Sequence, residues 1–362
     1  MLEFSSRHYG NPSSPHIMGR FAKQAVEAAT ASISSLLGCS SKALTFTSGA
    51  TESNNIVVLG SVQPKRNQNI VICPIDHKST LAAARELENR GIQIRRMAID
   101  KFGRINLEHL DSIIDEKTAL VSLSYVNSEI GTIQDLENIG AIVKRTPALL
   151  HIDAAQAVGK LALDIRTLGV DCVSLSAHKM FGPKGIGALY LSDAAAQRLR
   201  PLTFGGGQFR LRSGTIPTQL VVGFGVAARR LKNTDINNSW NSACLRRRMI
   251  LETLDKYGII YQLNSPKRHA VPHILNISIP GVRSETIINS LPRLCIASGS
   301  TCNSHNLEPS HVIMGIGYGE DRANSAIRFS FNADTDITHV LMGARIFAEK
   351  IQSLLKLTTG DR

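Results

Sequence analysis

The sequence predicts an α/β fold: a large domain on a mostly parallel sheet, followed by a smaller α+β domain. Three observations carry this. Short apolar, β-branched runs alternate with amphipathic helical stretches through the first two thirds of the chain, the pattern of strands joined by crossover helices and covered on both faces. Around "GGGQFRLRSG" (205–214) that alternation breaks, and a different order of elements begins. The length of 362 residues suits about two domains at roughly 100–200 residues each.

In order, the expected strands are "ALTFTS" (43–48), "NIVICP" (69–74), "IQIRRMAI" (92–99), "ALVSLSYV" (119–126), "ALLHIDA" (148–154), "CVSLS" (172–176) and "IGALYL" (186–191). Helical stretches such as "KSTLAAARELENRG" and "QDLENIGAIVKRT" lie between them. Beyond the break come a long helical region, "SWNSACLRRRMILETLDKYG", a strand "HILNISI", a helix "SETIINSLP", and strands "LCIAS" and "SAIRFSF". A terminal helix runs from about Asp336 to Lys356. The expected division is a large domain over 12–234 and a small domain over 235–362 joined by residues 1–11.

Hydrophobic content of 43% and charged content of 19% are those of an ordinary globular chain. No apolar run reaches the ~18 residues of a membrane helix, so no membrane association is expected. The start, "MLEFSSRHYGNPSSPH", lacks a basic-then-apolar signal pattern, and a cytoplasmic protein is expected. Six scattered cysteines without a CxxC pair indicate neither a disulfide framework nor a metal knuckle. Cys302 stands apart because its surroundings are polar. The net charge of +12 raises nucleic acid as a partner. The basic residues are spread, however, with only the short clusters "LRRRM" and "SPKRH", so direct nucleic acid binding is not the expected function.

Four elements of the large domain point to one cofactor. In "FTSGATESNN" a strand ends and a helix begins near Ala50 and Thr51, where backbone N–H groups can cradle a phosphate. In "HIDAAQ", Asp153 follows an apolar strand and can pair with a ring nitrogen. Lys179 ends the next strand among Ser176, His178 and the glycines of "FGPKGIG", where an amine can form a Schiff base. In "CPIDHKS", His77 follows another strand and can stack on a flat ring. Each has a plainer explanation alone, as a helix cap, a surface lysine or a surface histidine. Together they fall at the carboxyl ends of strands in one sheet, where α/β folds bind ligands. They make the set that pyridoxal 5′-phosphate requires.

The motifs "SGATESNN", "HIDAAQAVGKL", "SAHKMFGPKGIGALYL", "RSGT", "SGSTCNSHNLEPSHV" and "IRFS" resemble the NifS/IscS-type cysteine desulfurases, which are fold-type-I pyridoxal-phosphate enzymes. The resemblance runs from about Gly10 to the C-terminus. It implies that Lys179 carries the cofactor, His77 stacks on it, Asp153 pairs with the pyridine nitrogen and Gln156 reaches the phenolic oxygen. Ala50, Thr51, Ser176 and His178 would hold the phosphate, joined by Thr215 from the other subunit of a homodimer. Arg328 would grip the carboxylate of an L-cysteine substrate, and Cys302 would be the nucleophile that takes its sulfur. The sulfur acceptor implied is a protein of Fe–S assembly, tRNA thiolation or DNA phosphorothioation; the sequence does not choose among them.

Four departures stand out. "GNPSS" begins at Gly10, so the family's usual opening segment ahead of it is expected to be missing. "VNSEIG" has Ser128 where the family places the second Asn of "NNE" against the cofactor. With Asn127 and Ser128 read as strand neighbours on opposite faces, Asn127 is left to the substrate side. "GGGQFRLRSGT" is one residue short, and "FSFNADT" carries Asn332 in place of a common glycine. Two alternatives stay open at this point: a catalytically impaired dimeric paralogue serving as a scaffold, and another pyridoxal-phosphate lyase or transaminase.

Overall fold

The computed structural model describes residues 1–63, 67–209, 211–299 and 308–359. The strands of the first two thirds form as β1 Leu44–Thr47, β2 Asn69–Ile72, β3 Gln93–Arg96, β4 Thr118–Ser124, β5 Leu149–Asp153, β6 Cys172–Ser176 and β7 Gly187–Leu191. They make one seven-stranded sheet in the order β1-β7-β6-β5-β4-β2-β3. From β3 to β6 all pairings are parallel, and β7 runs against both β6 and β1. The carboxyl ends of β1, β2, β4, β5 and β6 therefore share one edge of the sheet.

Burial explains the composition of these strands. β2, β5 and β6 are buried along their whole length, so most of their residues are apolar or small, and the exceptions, Asn69, His151 and Asp153, are hydrogen-bonded. β3 is the sheet's edge, is partly exposed, and carries Arg95 and Arg96, charges that discourage edge-to-edge pairing. The helix Lys78–Asn89 sets Ala83, Ala84 and Leu87 against Ile70 and Ile72 of β2.

The chain divides into two compact units. The first holds Met1–Ala98, Ile105–Tyr125 and Asp135–Thr234; the second holds Ile99–Arg104, Val126–Gln134 and Asp235–Arg362. Residues 1–11 thus belong with the first unit, not with the small one as expected. The helix Leu2–Ser6 packs on the helix Thr218–Lys232, and a side chain at Gly223 would meet Met1 Sδ at 2.6 Å. Two short segments, 99–104 and 126–134, leave the large unit for the small one.

Beyond the short hairpin of β8 Gly207–Phe209 and β9 Arg212–Ser213, the second unit has its own sheet. Its strands are β10 Gln262–Leu263, β11 Ile274–Ser278, β12 Ala297–Ser298 and β13 Ala326–Ser330. They are antiparallel in the order β10-β11-β13-β12. The expected strand "LCIAS" is reduced to its last two residues, because Leu294 and Ile296 close turns on Leu291 and Leu294. The helices Ile236–Lys256 and Ile337–Thr359 supply Leu254, Phe347 and Ile351 to a core with Leu275, Ile277 and Phe329. Phe329 and Phe347 meet edge-on with centroids 5.0 Å apart. No helix among the described residues is long and apolar enough to cross a membrane.

Candidate active site

The site grows from the junction between β1 and the helix Ala50–Gly60. Gly49 precedes that helix, at φ +156°, and no side chain caps it. The plainer explanation, a hydroxyl cap, is not realised: Thr47 Oγ1 donates to Gly49 O at 3.0 Å, and Ser48 N donates to Glu52 Oε2 at 2.5 Å. The helix start keeps its first-turn N–H groups, at half-buried Ala50 and exposed Thr51, for an anion. A close approach shapes this cup. A Cβ at Gly187 would stand 2.4 Å from Leu175 O and 2.6 Å from Gly49 Cα, so only glycine lets β7 pass beside Gly49. A Cβ at Gly49 would lie 3.9 Å from Ser176 Oγ, which puts the Ser176 hydroxyl at the rim. Ser176 Oγ in turn lies 2.8 Å from His178 Nδ1.

Glu52 anchors the hairpin to this cup. Arg212 Nε donates to Glu52 Oε1 at 3.1 Å. Burial alone would raise the Glu52 carboxyl, but the Ser48 N–H and the Arg212 guanidinium outweigh it and hold it below its ordinary value. Thr215, just beyond Arg212 in the chain, is exposed.

Lys179 sits on a tight turn, Ala177–Met180, directly after β6. Phe181 N and Gly182 N both donate to Ala177 O, the latter at 2.8 Å, and Phe181 closes the turn at φ +59°. Ala177 and Met180 point into the core, while His178 and Lys179 are exposed. This answers why glycines crowd that lysine: the turn is small and its outer face stays open. Burial, with the charges of Lys179 and Lys184, keeps the His178 imidazole below its usual range.

Asp153, at the end of β5, is buried at 7% exposure. Its Oδ1 accepts from Ala155 N at 2.9 Å, and its Oδ2 accepts from Asn54 Nδ2 at 2.8 Å. The same Asn54 amide donates to Ser79 Oγ at 2.9 Å, and Ser79 Oγ lies 2.8 Å from His77 Nδ1. His77 Nδ1 also accepts from Ser79 N at 3.1 Å. An Nδ1 that accepts from a backbone N–H carries no proton, so the tautomer is Nε2–H. The carboxylate and the imidazole expected around a flat ring are thus joined through Asn54 and Ser79.

Gln156 follows on the loop after β5. Lys160 Nζ donates to its carbonyl and to its Oε1, both at 3.1 Å. A lysine only donates, so the Gln156 side chain turns its amide NH2 the other way, as a donor. Burial and the charge of Lys179 push Lys160 down to about 8. Two further buried groups lie beneath. Burial pushes Asp76 up to about 8, with the charge of Asp153 adding to it and the Ser124 N–H opposing. His151 lies between Ser122 Oγ at 2.8 Å and Ser174 Oγ at 2.9 Å, and burial pushes it down to about 4 against the charge of Asp153.

The second unit carries Arg328, Asn127 and Ser128. Arg328 on β13 donates from Nη1 to Ser128 O at 3.1 Å, which sets the plane of its guanidinium fork. Asn127 and Ser128 require a correction. They are not strand neighbours on opposite faces, because β4 ends at Ser124 and 127–130 form a turn closed by the bridge between Val126 and Ile133. Asn127 Oδ1 accepts from Glu129 N at 2.9 Å and Ile130 N at 3.0 Å, so its side chain shapes the turn. Cys302 lies outside the described residues. Asn54, Ser79, Lys160 and Glu129 escaped the sequence reading. All four stand inside stretches it quoted; Asn54, Ser79 and Glu129 have partners distant in sequence, while Lys160 meets Gln156 four residues away on the loop after β5.

The residues of the first unit fit pyridoxal 5′-phosphate. The cup is one a Cβ at Gly187 would fill, the donors at the helix start and at Ser176 suit a phosphate, and Asp153 is a buried carboxylate held by an amide donor. Comparison with known proteins agrees with this. The aminotransferase class-V family model matches residues 1–341. A "Cysteine desulfurase IscS" of Rickettsia typhi is 40% identical over 362 residues, covering 99% of this chain and 88% of the relative. Among solved structures, a "NIFS-LIKE PROTEIN" superposes with a TM-score of 0.89 at 32% identity, covering 98% of this chain and 94% of the other. "SspA in complex with cysteine" does so with a TM-score of 0.78 at 33% identity, covering 91% and 92%.

Proposed function

The chain belongs to the aminotransferase class-V family and is a pyridoxal-phosphate-dependent cysteine desulfurase; on that premise we propose that it converts L-cysteine to L-alanine and leaves the sulfur as a persulfide on Cys302. The observation that supports this most is the joined set at the strand ends, where Asn54 ties Asp153 to the Ser79–His77 pair on the same sheet edge that bears Lys179.

The bound cofactor supplies an electron sink for the pair left at Cα when its proton departs. Asp153 would hold the ring nitrogen, and the Gln156 NH2, turned outward by Lys160, would meet the phenolic oxygen. Ala50, Thr51, Ser176 and His178 would hold the phosphate, and His77, its Nδ1 engaged by Ser79, would stack on the ring. Lys179 Nζ would hold the cofactor and would be the base that moves the substrate's Cα proton. Arg328 grips the substrate carboxylate. The Cys302 thiolate attacks the substrate sulfur, and the Cβ–S bond breaks with its electron pair kept by carbon. That carbon takes a proton to become the methyl group of alanine, so Cys302–S⁻ and cysteine become Cys302–S–S⁻ and alanine with no outside oxidant.

The working form proposed is a cytoplasmic homodimer in which Thr215, exposed here, completes the phosphate cup of the partner. The persulfide then passes to an acceptor protein of Fe–S assembly, tRNA thiolation or DNA phosphorothioation. The test is sulfide and alanine release from L-cysteine with a reductant, beside Cys302→Ala. Both products in equal amounts from the parent, and neither from the variant, support the reading. Alanine formation that survives Cys302→Ala sinks it.

A further inference from the structure

Lys160 and Gln156 share one short loop, and its backbone brings them together. After β5, Ala157 N and Val158 N both donate to Ala154 O, at 2.9 and 3.2 Å. Lys160 N and Leu161 N then both donate to Ala157 O, at 3.0 and 2.9 Å. Between these turns Gly159 takes φ +78°, and a Cβ there would stand 3.0 Å from both Cδ atoms of Leu231. Glycine suits that corner on both counts. The chain folds back, and Lys160 Nζ reaches the main-chain oxygen and Oε1 of Gln156 together.

Two bonds from one ammonium to one residue fix that residue's side chain against its own backbone. They also fix its direction. An ammonium has no lone pair, so it faces the amide oxygen and the NH2 must face away. Lys160 Nζ bonds to Gln156 alone among the described residues. No carboxylate there offsets its charge: Asp153 is engaged by Asn54 and Ala155, and Asp164 by Arg166. The other groups nearby are basic, namely Lys179 and His178 on the turn after the neighbouring strand β6, and Arg230 and Lys232 beside Leu231. Burial, and then the charge of Lys179, push Lys160 down to about 8. A methionine would fill this place at less cost. What the ammonium adds is the orientation of Gln156.

We propose that Lys160 is a positioning residue for the bound cofactor: it holds both oxygens of Gln156, so that the amide meets the phenolic oxygen with its NH2 and never with its carbonyl. That donor favours the form in which the phenolic oxygen carries its full charge, the form that lacks the proton shared with the nitrogen of Lys179. Without the donor that proton stays to higher pH. The inference rests on the reading of Gln156 as the residue at the phenolic oxygen.

The test loads the protein with pyridoxal phosphate and reads the pH midpoint of its visible absorbance in Lys160→Met, Lys160→Arg, Gln156→Leu and Lys160→Met/Gln156→Leu. Protection of buried Cys73 from alkylation, in the cofactor-free form, reports that each variant is folded. Lys160→Met raises the midpoint by about one pH unit, what one hydrogen bond is worth, and Gln156→Leu raises it as much. The double variant stands less than about half a unit above Gln156→Leu, because the two residues act as one. Lys160→Arg still donates as a cation and stays within about 0.3 unit of the parent. An unmoved Lys160→Met beside a shifted Gln156→Leu overturns the proposal alone. So does a Lys160→Met shift as large in the Gln156→Leu background as in the parent, since Lys160 then acts as a charge without Gln156. An unmoved Gln156→Leu overturns the placement of Gln156 at the phenolic oxygen, and this proposal with it.

Discussion

Asn54 donates to Asp153 Oδ2 at 2.8 Å across 99 residues of sequence. One amide thereby fixes a carboxylate at the end of β5, and its second bond, to Ser79 Oγ, fixes the hydroxyl that meets His77. Two groups that must face a flat cofactor are set by one buried side chain.

Asn54→Leu removes both bonds at nearly constant volume. Leaving Asp153 and Ser79 short of a donor costs about 2 kcal/mol, read as a fall in the urea midpoint of the cofactor-free protein. Pyridoxal phosphate is also lost faster from the holo form, read as visible absorbance remaining after dialysis. Retention at the parent rate would mean that Asp153 needs no orientation.

Gly187→Ala and Gly185→Ala separate close approach from backbone conformation. At Gly187 a Cβ meets backbone at 2.4 Å and 2.6 Å, so the strand must shift, at about 3 kcal/mol or more. That shift also opens the phosphate cup. Gly185 has φ +82° with ordinary contact to Leu220, so alanine there costs about 1 kcal/mol through strain. Chemical denaturation, with the phosphate concentration that protects each apo variant, distinguishes the two.

Borohydride reduction of the holo protein fixes the cofactor to its lysine. The label is expected on the peptide with Lys179 and not on that with Lys160. Lys160 is pushed down to about 8 and is thus a fair nucleophile, but its Nζ is engaged by Gln156. Peptide mass mapping decides between them.

Three buried groups give stability a distinctive pH profile. His151 falls to about 4 from an ordinary 6.5. Between these values the unfolded chain holds a proton that the folded one lacks, so stability rises with pH. Asp76 rises to about 8 from 3.8, so between those values the folded chain holds the extra proton and stability falls with pH. The two slopes oppose each other from about pH 4 to 6.5, and Asp76 alone acts from there to about 8. Above that Lys160, lowered from 10.5, makes stability rise again. The apo protein should show a flat midpoint, then a decline, in urea titrations at each pH. Asp76→Asn should abolish the decline and expose the rising His151 limb. A parent midpoint that climbs from pH 6.5 to 8 would show that Asp76 is ionised in the folded state.

What could be read from the sequence was local. β1 to β7 declare themselves as short apolar runs, and Lys179, Asp153 and His77 each follow one of them closely. Asn54 and Ser79 belong to different helices, so their roles appear only once the strands are ordered, whereas Lys160 reaches Gln156 only four residues away, through the course of the loop after β5. The turn at Asn127 and Ser128 was misjudged because Tyr125 and Val126 continue the strand pattern past Ser124, where pairing ends. Glu129 gave no signal, since its partner Ser310 meets it only in the folded second unit.

The most direct test of the account is to add L-cysteine to the holo protein without reductant, block thiols, and weigh the peptides. One added sulfur on the Cys302 peptide is predicted, with none on those of exposed Cys244 and Cys295, and its loss in Lys179→Ala. Sulfur on Cys244 or Cys295 instead, or alanine formed with no sulfur on Cys302, would contradict it.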